Sequence, residues 1–382
     1  MRAFLQTVQD APDSLMLADE QSSNYWTRER VNDMSARVYN YLRKRHIGRE
    51  DFVLILLPRG VLPIIAMIGV WKAGAALTVL EDNYVAERVD FIAKDLGCKL
   101  VIDMDVWYEI CDEEPRPGFV MADPHDAALA VYTSGSTGNP KGVVHEYGKI
   151  ALYAPSVPIP GVAPAPRDRS ALIAPLNFVA STMVILGIIG QKSCLYIIPY
   201  SVVKNPKKLV GYFEQRKIQN TFLSPSMIRA VGSKLPSCVL SVFTGSEPAN
   251  GIYLEGVQIV NNYSMSEGGF KICQFVIDKP YEVCPVGKPT LPGMEMLVLD
   301  DEGNEVAAGE TGEICFEDPF TRGYVNLPEQ TKAAFRDGLY HTGDLGYKDA
   351  DGNLILAGRA NDMIKIDGNR IEPAEIEAAF KK

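Results

Sequence analysis

The sequence predicts an α/β protein with two subdomains of βαβ type, built on parallel or mixed sheets, and a smaller β-rich subdomain. Three observations carry this. Between Asp51 and Ile102, strand-like and helix-like runs alternate; the alternation resumes at Ser170; and from Val283 the chain becomes short β-type runs divided by Gly and Asp turns. Alternation of that kind belongs to parallel sheets with right-handed crossovers and helices on both faces.

The elements follow in order. Asp51–Leu57 (DFVLILL) reads as a strand, Leu62–Lys72 as a helix, Ala76–Leu80 as a strand, Ala86–Leu96 as a helix and Lys99–Ile102 as a strand. The apolar stretch from Val61 to Leu80 approaches the length of a membrane span. Pro63, Gly69, Lys72 and Gly74 interrupt it and its second half has β character, so a buried helix followed by a buried strand is the better reading. Ala127–Tyr132 (AALAVY) is a buried strand, and the Pro-rich Ala154–Asp168 is expected as a surface loop. Short β runs with turns at Asp300–Gly303 and Asp349–Gly352 define the β-rich part, about 283 to 360.

With 382 residues, 47% of them hydrophobic, the chain can bury a large core. Its net charge of −10 is spread along the sequence, which argues against nucleic acid or an anionic membrane as partner. No basic segment suited to a secretory signal follows Met1, and the seven cysteines lack CxxC spacing. A cytoplasmic protein with reduced, packed thiols is the expectation, and the four scattered histidines give little support to a histidine metal centre.

The richest chemistry lies at Val131–Val143, VYTSGSTGNPKGV, where hydroxyls and glycines crowd between a strand and a second apolar run. Such a loop can turn sharply and direct hydroxyls and backbone N–H groups at an anion, with Lys141 adding a charge. It is not a Walker loop, because Pro140 forbids the helix that a Walker loop opens.

Taken with six other segments in order, this loop resembles the adenylate-forming ligases, most closely the adenylation domains of nonribosomal peptide synthetases. Those segments are WKAGAALTVLE from Trp71, VNNYSMSEGG from Val260, GEICF from Gly312, RGYVN from Arg322, YHTGDLG from Tyr340 and GRANDMIKIDGNRIEPAEIE from Gly358. The resemblance implies attack of a carboxylate on the α-phosphate of ATP, giving acyl-AMP and pyrophosphate, with Mg2+ as the metal. By motif match, Thr133, Ser134, Ser136 and Thr137 hold phosphate oxygens with Lys141 nearby; Ser266 touches the α-phosphate and Glu267 carries the magnesium. On the nucleoside side, Tyr263 stacks on adenine and Asn261 accepts from its amine, with Asn262 between them. Gly245, Ser246 and Glu247 line the other side, Asp344 accepts from the ribose hydroxyls, and Arg359 and Lys365 reach ribose and phosphate. The family's Gly-Pro-Thr before the Glu is Ser264-Met265-Ser266 here, which changes the loop's backbone preferences.

The acid pocket departs further. Where amino-acid-activating members carry an aspartate for the substrate ammonium, the chain reads Asn177-Phe178-Val179-Ala180-Ser181, with Val179 at the aspartate position. An unpartnered buried ammonium costs several kcal/mol, so either another acid serves or the substrate lacks an α-amino group. Asn177 can hydrogen-bond a hydroxyl. Ala180, Met183, Phe222, Val242, Thr244, Asn262, Phe270 and Lys271 complete the implied wall; Lys271 either meets a second acidic group or, more plainly, snorkels to water.

The family's hinge aligns with Asn361, and the sequence stops about one helix later, whereas members continue into a mobile C-terminal lid. The expected organisation is therefore an adenylation core over 1–360, then a hinge and the start of a truncated lid over 361–382. The leading expectation is acyl-AMP formation for a carrier protein's phosphopantetheine thiol. An aryl- or hydroxy-acid:CoA ligase and a non-catalytic nucleotide-binding remnant are the alternatives.

Overall fold

A computed structural model describes residues 1–19, 25–133, 140–153, 169–267, 269–291, 293–317, 321–359, 364–366 and 369–371. Of these, 152, 153, 183, 269–271 and the residues beyond 359 are described by backbone alone. The Pro-rich 154–168 segment, expected as a loop, lies outside the described residues. The chain divides into two compact units, Met1–Tyr132 with Val144–Lys204, and Thr133–Val143 with Asn205–Lys382.

In the first unit, strands β1 (Leu15–Asp19) and β2 (Trp26–Thr27) precede the predicted alternation. Then come β3 (Phe52–Leu57), helix α1 (Val61–Lys72), β4 (Ala76–Glu81), helix α2 (Ala86–Leu96), β5 (Leu100–Ile102) and β6 (Ala127–Thr133), each within a residue or two of its sequence-based bounds. Strands β5, β3, β4 and β6 lie side by side in that order, all parallel. Strand β7 (Lys141–Glu146) runs from the second unit into the first, and β8 (Arg169–Leu172), helix α3 (Val179–Ile189) and β9 (Cys194–Ile197) follow. A second sheet runs β8-β9-β1-β2, parallel except for the antiparallel β1–β2 pair. The apolar stretch from Val61 is buried helix, then buried strand, as expected. Among the described residues no helix is long and apolar enough to cross a membrane. The single charge within it, Lys72, is buried; its ammonium donates to the backbone and side-chain oxygens of Asn32 at 2.9 and 2.8 Å.

A buried ion pair fixes the segment that leads to Asn177. Glu81, at the end of β4, accepts from Arg59 (3.2 Å), the Leu176 N–H (3.0 Å) and the Tyr200 hydroxyl (2.6 Å). The same guanidinium donates to the carbonyls of Leu172, Ile173, Ala174 and Ile198. A buried charge needs its partners complete, and here four carbonyls and a carboxylate satisfy one guanidinium.

In the second unit, β10 (Asn220–Phe222), β11 (Ser241–Gly245) and β12 (Gln258–Met265) are parallel neighbours, and β13 (Gly269–Ile277) and β14 (Lys288–Pro289) add antiparallel strands. The β-rich stretch holds β15 (Met296–Leu299), β16 (Gly312–Glu317), β17 (Thr321–Tyr324), β18 (Phe335–Arg336), β19 (Leu339–Lys348) and β20 (Leu354–Arg359). An antiparallel sheet runs β15-β16-β19-β18, with β20 also on β19. Both expected turns form around an Asp: the Asp300 and Asp349 carboxylates each accept backbone N–H groups two and four residues on. Tyr263, Ile272, Val298, Ile314, Phe316 and Leu354 pack in one core that joins β12 and β13 to the β-rich sheet. Strands β21 (Ile364–Ile366) and β22 (Asn369–Ile371) form a ribbon of their own.

Candidate nucleotide site

The second unit holds most of the residues expected at a nucleotide, and β19 supplies the central one. Asp344 lies within β19, where Thr342 Oγ1 donates to the Ile314 carbonyl (2.7 Å) and accepts from the Asp344 N–H (3.0 Å). The Gly343 N–H donates to Glu313 (3.0 Å), and at φ +69° this position favours glycine. The carboxylate so placed accepts from the Tyr263 hydroxyl at 2.5 Å and pairs with Arg359 at 2.7 Å. Register explains the ion pair, since Asp344 and Arg359 are directly opposite on β19 and β20. Burial, then the Asp344 charge, pushes the Tyr263 phenol well above its ordinary range, so it remains a donor.

Tyr263 and Asn261 occupy the buried face of β12, and this changes what their side chains do. Tyr263, expected to stack on adenine, is 4% exposed, with its ring in the core and its hydroxyl on Asp344. Asn261, expected to accept from the base, donates its amide to the Pro285 carbonyl at 2.8 Å and is 2% exposed, a strut between strand and loop. Asn262, on the other face, donates to the carbonyls of Thr244 and Val260, and its oxygen accepts from Gln274 at 2.6 Å. Gly245 pairs with Asn262 across β11 and β12, where a Cβ would meet the Asn262 carbonyl at 2.5 Å, so only glycine fits. Ser246 has φ +71°, and Glu247 accepts from the N–H and hydroxyl of Ser226.

The strand β12 continues through Met265, which pairs with Gly269. Ser264 and Met265 lack the ring of a proline and keep their strand N–H groups, so the strand runs on through Met265 and the turn begins at Ser266. Glu267 is buried and accepts from the Tyr324 hydroxyl at 3.2 Å. Lys141 starts β7 with its ammonium 5.6 Å from the centre of the Tyr324 ring. A cavity of about 330 Å³ is walled by Lys141, Glu267, Tyr324, His341 and Arg359, among others, all of this unit. The Thr133 hydroxyl, at the root of the glycine- and hydroxyl-rich loop, is buried with no hydrogen-bond partner among the described residues. Ser134, Ser136 and Thr137 lie outside the described residues, as do the side chains of Lys365, Met183, Phe270 and Lys271.

Tyr324, Glu313 and His341 sit in quoted motifs but had no role in the sequence reading. The signal available was their place inside RGYVN, GEICF and YHTGD.

The expected acid-pocket residues divide between the units. In the first, the Asn177 amide donates to the Tyr84 hydroxyl at 2.7 Å, Phe178 caps α3 and Val179 is its first residue. Phe178, Val179 and Ala180 are half-buried. In the second, Val242 and Thr244 share a buried face of β11, and Phe222 ends β10.

Parallel strands alternating with helices, followed by an antiparallel β-rich sheet, define a protein of the α/β class. The chain belongs to the AMP-binding enzyme family, whose sequence profile matches residues 4–325. It is similar to bacitracin synthase 1 of Bacillus licheniformis, 29% identical over 380 residues, spanning 93% of this chain and 7% of that protein's length. In fold it resembles an artificially fused adenylation–PCP di-domain, NpsA–ThdA from Klebsiella oxytoca, with TM-score 0.86, 23% identity and coverage of 100% of this chain and 82% of that one. The Klebsiella oxytoca NpsA N-terminal subdomain in complex with 3-hydroxyanthranilyl-AMSN gives TM-score 0.81 at 23% identity, covering 94% of this chain and 99% of that one.

Proposed function

We propose that this chain activates a carboxylic acid with ATP, forming acyl-AMP and pyrophosphate, and that the acyl group then passes to a phosphopantetheine thiol of a carrier protein. The observation that carries this is the placement of Asp344, Arg359, Lys141 and Glu267 in one unit: a diol acceptor, two cations and a buried carboxylate. The family match, the peptide-synthetase relative and the adenylation-domain fold support the same reading.

In this reading Asp344 accepts from the ribose hydroxyls, and Arg359, held by Asp344, reaches the ribose and phosphate. The Gly245–Glu247 turn flanks adenine, while Tyr263 holds Asp344 from the core. Lys141 and the hydroxyls of Thr133, Ser134, Ser136, Thr137 and Ser266 hold phosphate oxygens as charge builds on the transferring group, the task for which fixed donors are most effective. The unpartnered Thr133 hydroxyl fits such a role. Glu267 fits a magnesium ion, because its carboxylate is a hard oxygen donor beside the cavity, with a neutral hydroxyl on one oxygen. Bound there, magnesium would neutralise phosphate charge.

For the acid, Val179 offers no partner to an ammonium, and Asn177 presents an amide beside Tyr84. An aryl or hydroxy acid without an α-amino group fits better than a standard amino acid. Calorimetry of the 382-residue chain with AMP, followed by acid-dependent pyrophosphate exchange across amino, hydroxy and aryl acids, tests the proposal. Absence of AMP binding at millimolar concentration would refute it. Transfer of the acyl group to free CoA in preference to a carrier would move the assignment to an acid:CoA ligase.

A further inference from the structure

His341 has chemistry that the nucleotide roles above do not use. Its Nδ1 lies 2.8 Å from Glu313, across the β16–β19 ladder. That carboxylate also accepts from the Gly343 N–H at 3.0 Å and from Arg336 at 3.5 Å, so it is an acceptor and the shared proton sits on Nδ1 of the imidazole. The other nitrogen, Nε2, is buried with no hydrogen-bond partner among the described residues, while the ring lines the 330 Å³ cavity. Leaving a buried polar atom without a partner is costly, so the arrangement calls for something on the cavity side.

The surroundings specify what. Lys141, Arg336 and Arg359 line the same cavity against two carboxylates, Glu267 and Glu313. Nearby Cys315 has its Sγ 3.3 Å from Nδ1; burial, and then the Glu313 charge, pushes this thiol up to about 12, so it adds no charge. A proton on Nε2 turns the ring into an imidazolium whose counter-charge, Glu313, is already in place behind it, and whose second N–H is left for an acceptor at the cavity wall. This is a carboxylate–histidine arrangement in which the second group fixes the ring's orientation. The cavity could contain about ten waters' worth of liquid volume.

Resting on the reading under Proposed function, we infer that His341 is a polyphosphate ligand: in its imidazolium form it donates from Nε2 to the pyrophosphoryl part of ATP and to the pyrophosphate product. The α-phosphate and nucleoside fall to other residues. Two substitutions separate this from a structural role. His341→Asn keeps a donor near the Nδ1 position, able to serve Glu313, and removes the Nε2 end; His341→Gln keeps a donor near the Nε2 position.

Inorganic pyrophosphate and AMP are titrated separately into the 382-residue chain and both variants by calorimetry, with thermal unfolding as a check of folding. Pyrophosphate affinity should fall roughly tenfold or more in the Asn variant, the size of one charge-assisted hydrogen bond, and less in the Gln variant, with AMP affinity unchanged in both. Equal losses for AMP and pyrophosphate, undiminished pyrophosphate binding by the Asn variant, or no pyrophosphate binding by the parent chain would each overturn the inference. Failure of AMP alone to bind refutes the acid-activation reading and leaves the pyrophosphate result to decide this one.

Discussion

Asp344 holds two donors in the free protein, and this makes its substitution a test of both fold and site. The Tyr263 hydroxyl meets it at 2.5 Å inside the core, and Arg359 meets it at 2.7 Å from the rim. Tyr263→Phe deletes one hydrogen bond to a charged acceptor with little change of shape, and should cost about 1.5–3 kcal/mol of stability. Asp344→Ala deletes the acceptor for both donors, leaving a phenol hydroxyl unpaired in the core and a guanidinium without its carboxylate. Arg359 retains some access to water, its side chain being 18% exposed, so the expected cost is about 2–4 kcal/mol, below the full range for a broken buried pair. Urea unfolding reads these values, and the double variant should cost less than the sum of the singles because the two residues share one bond. Nucleotide binding should divide them differently. Asp344→Ala should weaken AMP by about 1.5–3 kcal/mol, whereas Tyr263→Phe keeps the ring and frees an acceptor site on the carboxylate, so AMP should bind as tightly as before or more so. If Tyr263→Phe loses as much AMP affinity as Asp344→Ala, the phenol is itself a nucleotide ligand and the argument from competition for Asp344 fails.

Three other outcomes follow. Glu267→Gln should reduce affinity for ATP in the presence of magnesium by roughly tenfold or more while sparing AMP measured without metal; equal effects on both would dissociate Glu267 from the metal. Val179→Asp should shift pyrophosphate exchange toward L-α-amino acids, and a parent enzyme already far more active on amino acids than on their deamino analogues would contradict the pocket reading. Burial lowers the Lys72 ammonium from 10.5 to about 7. The unfolded chain therefore holds more protons between those values, so this group makes stability rise as pH goes from about 7 to 10.5, by at most ~5 kcal/mol. Lys72→Met should flatten that part of the pH profile of urea unfolding, and an unchanged slope would mean that the buried ammonium stays charged in the native state.

What the sequence made legible was whatever is local. Strand and helix bounds from Phe52 to Ile102 follow from runs of one periodicity ended by Gly, and both Asp-Gly turns form by short-range hydrogen bonds that sequence spacing reveals. What stayed hidden is set by pairing across the fold. Tyr263 and Asp344 are 81 positions apart, and Glu313 and His341 are 28 apart. Nothing in YSMSE indicates that the tyrosine's hydroxyl will meet the TGD carboxylate, because that contact depends on the β-rich sheet packing over β12. Asn261 shows the converse. Its motif suggested an open acceptor, but alternation along a strand put it on the buried face, where an amide must satisfy the nearest carbonyl, Pro285. Motif resemblance thus locates a residue to within a strand, and the strand's own two-sided geometry decides whether that residue faces a ligand or the core. His341 follows from the same rule: its ladder partner is Cys315, whose strand also carries Glu313 two residues earlier on the same face, so the ring is held on one side and left for the cavity on the other.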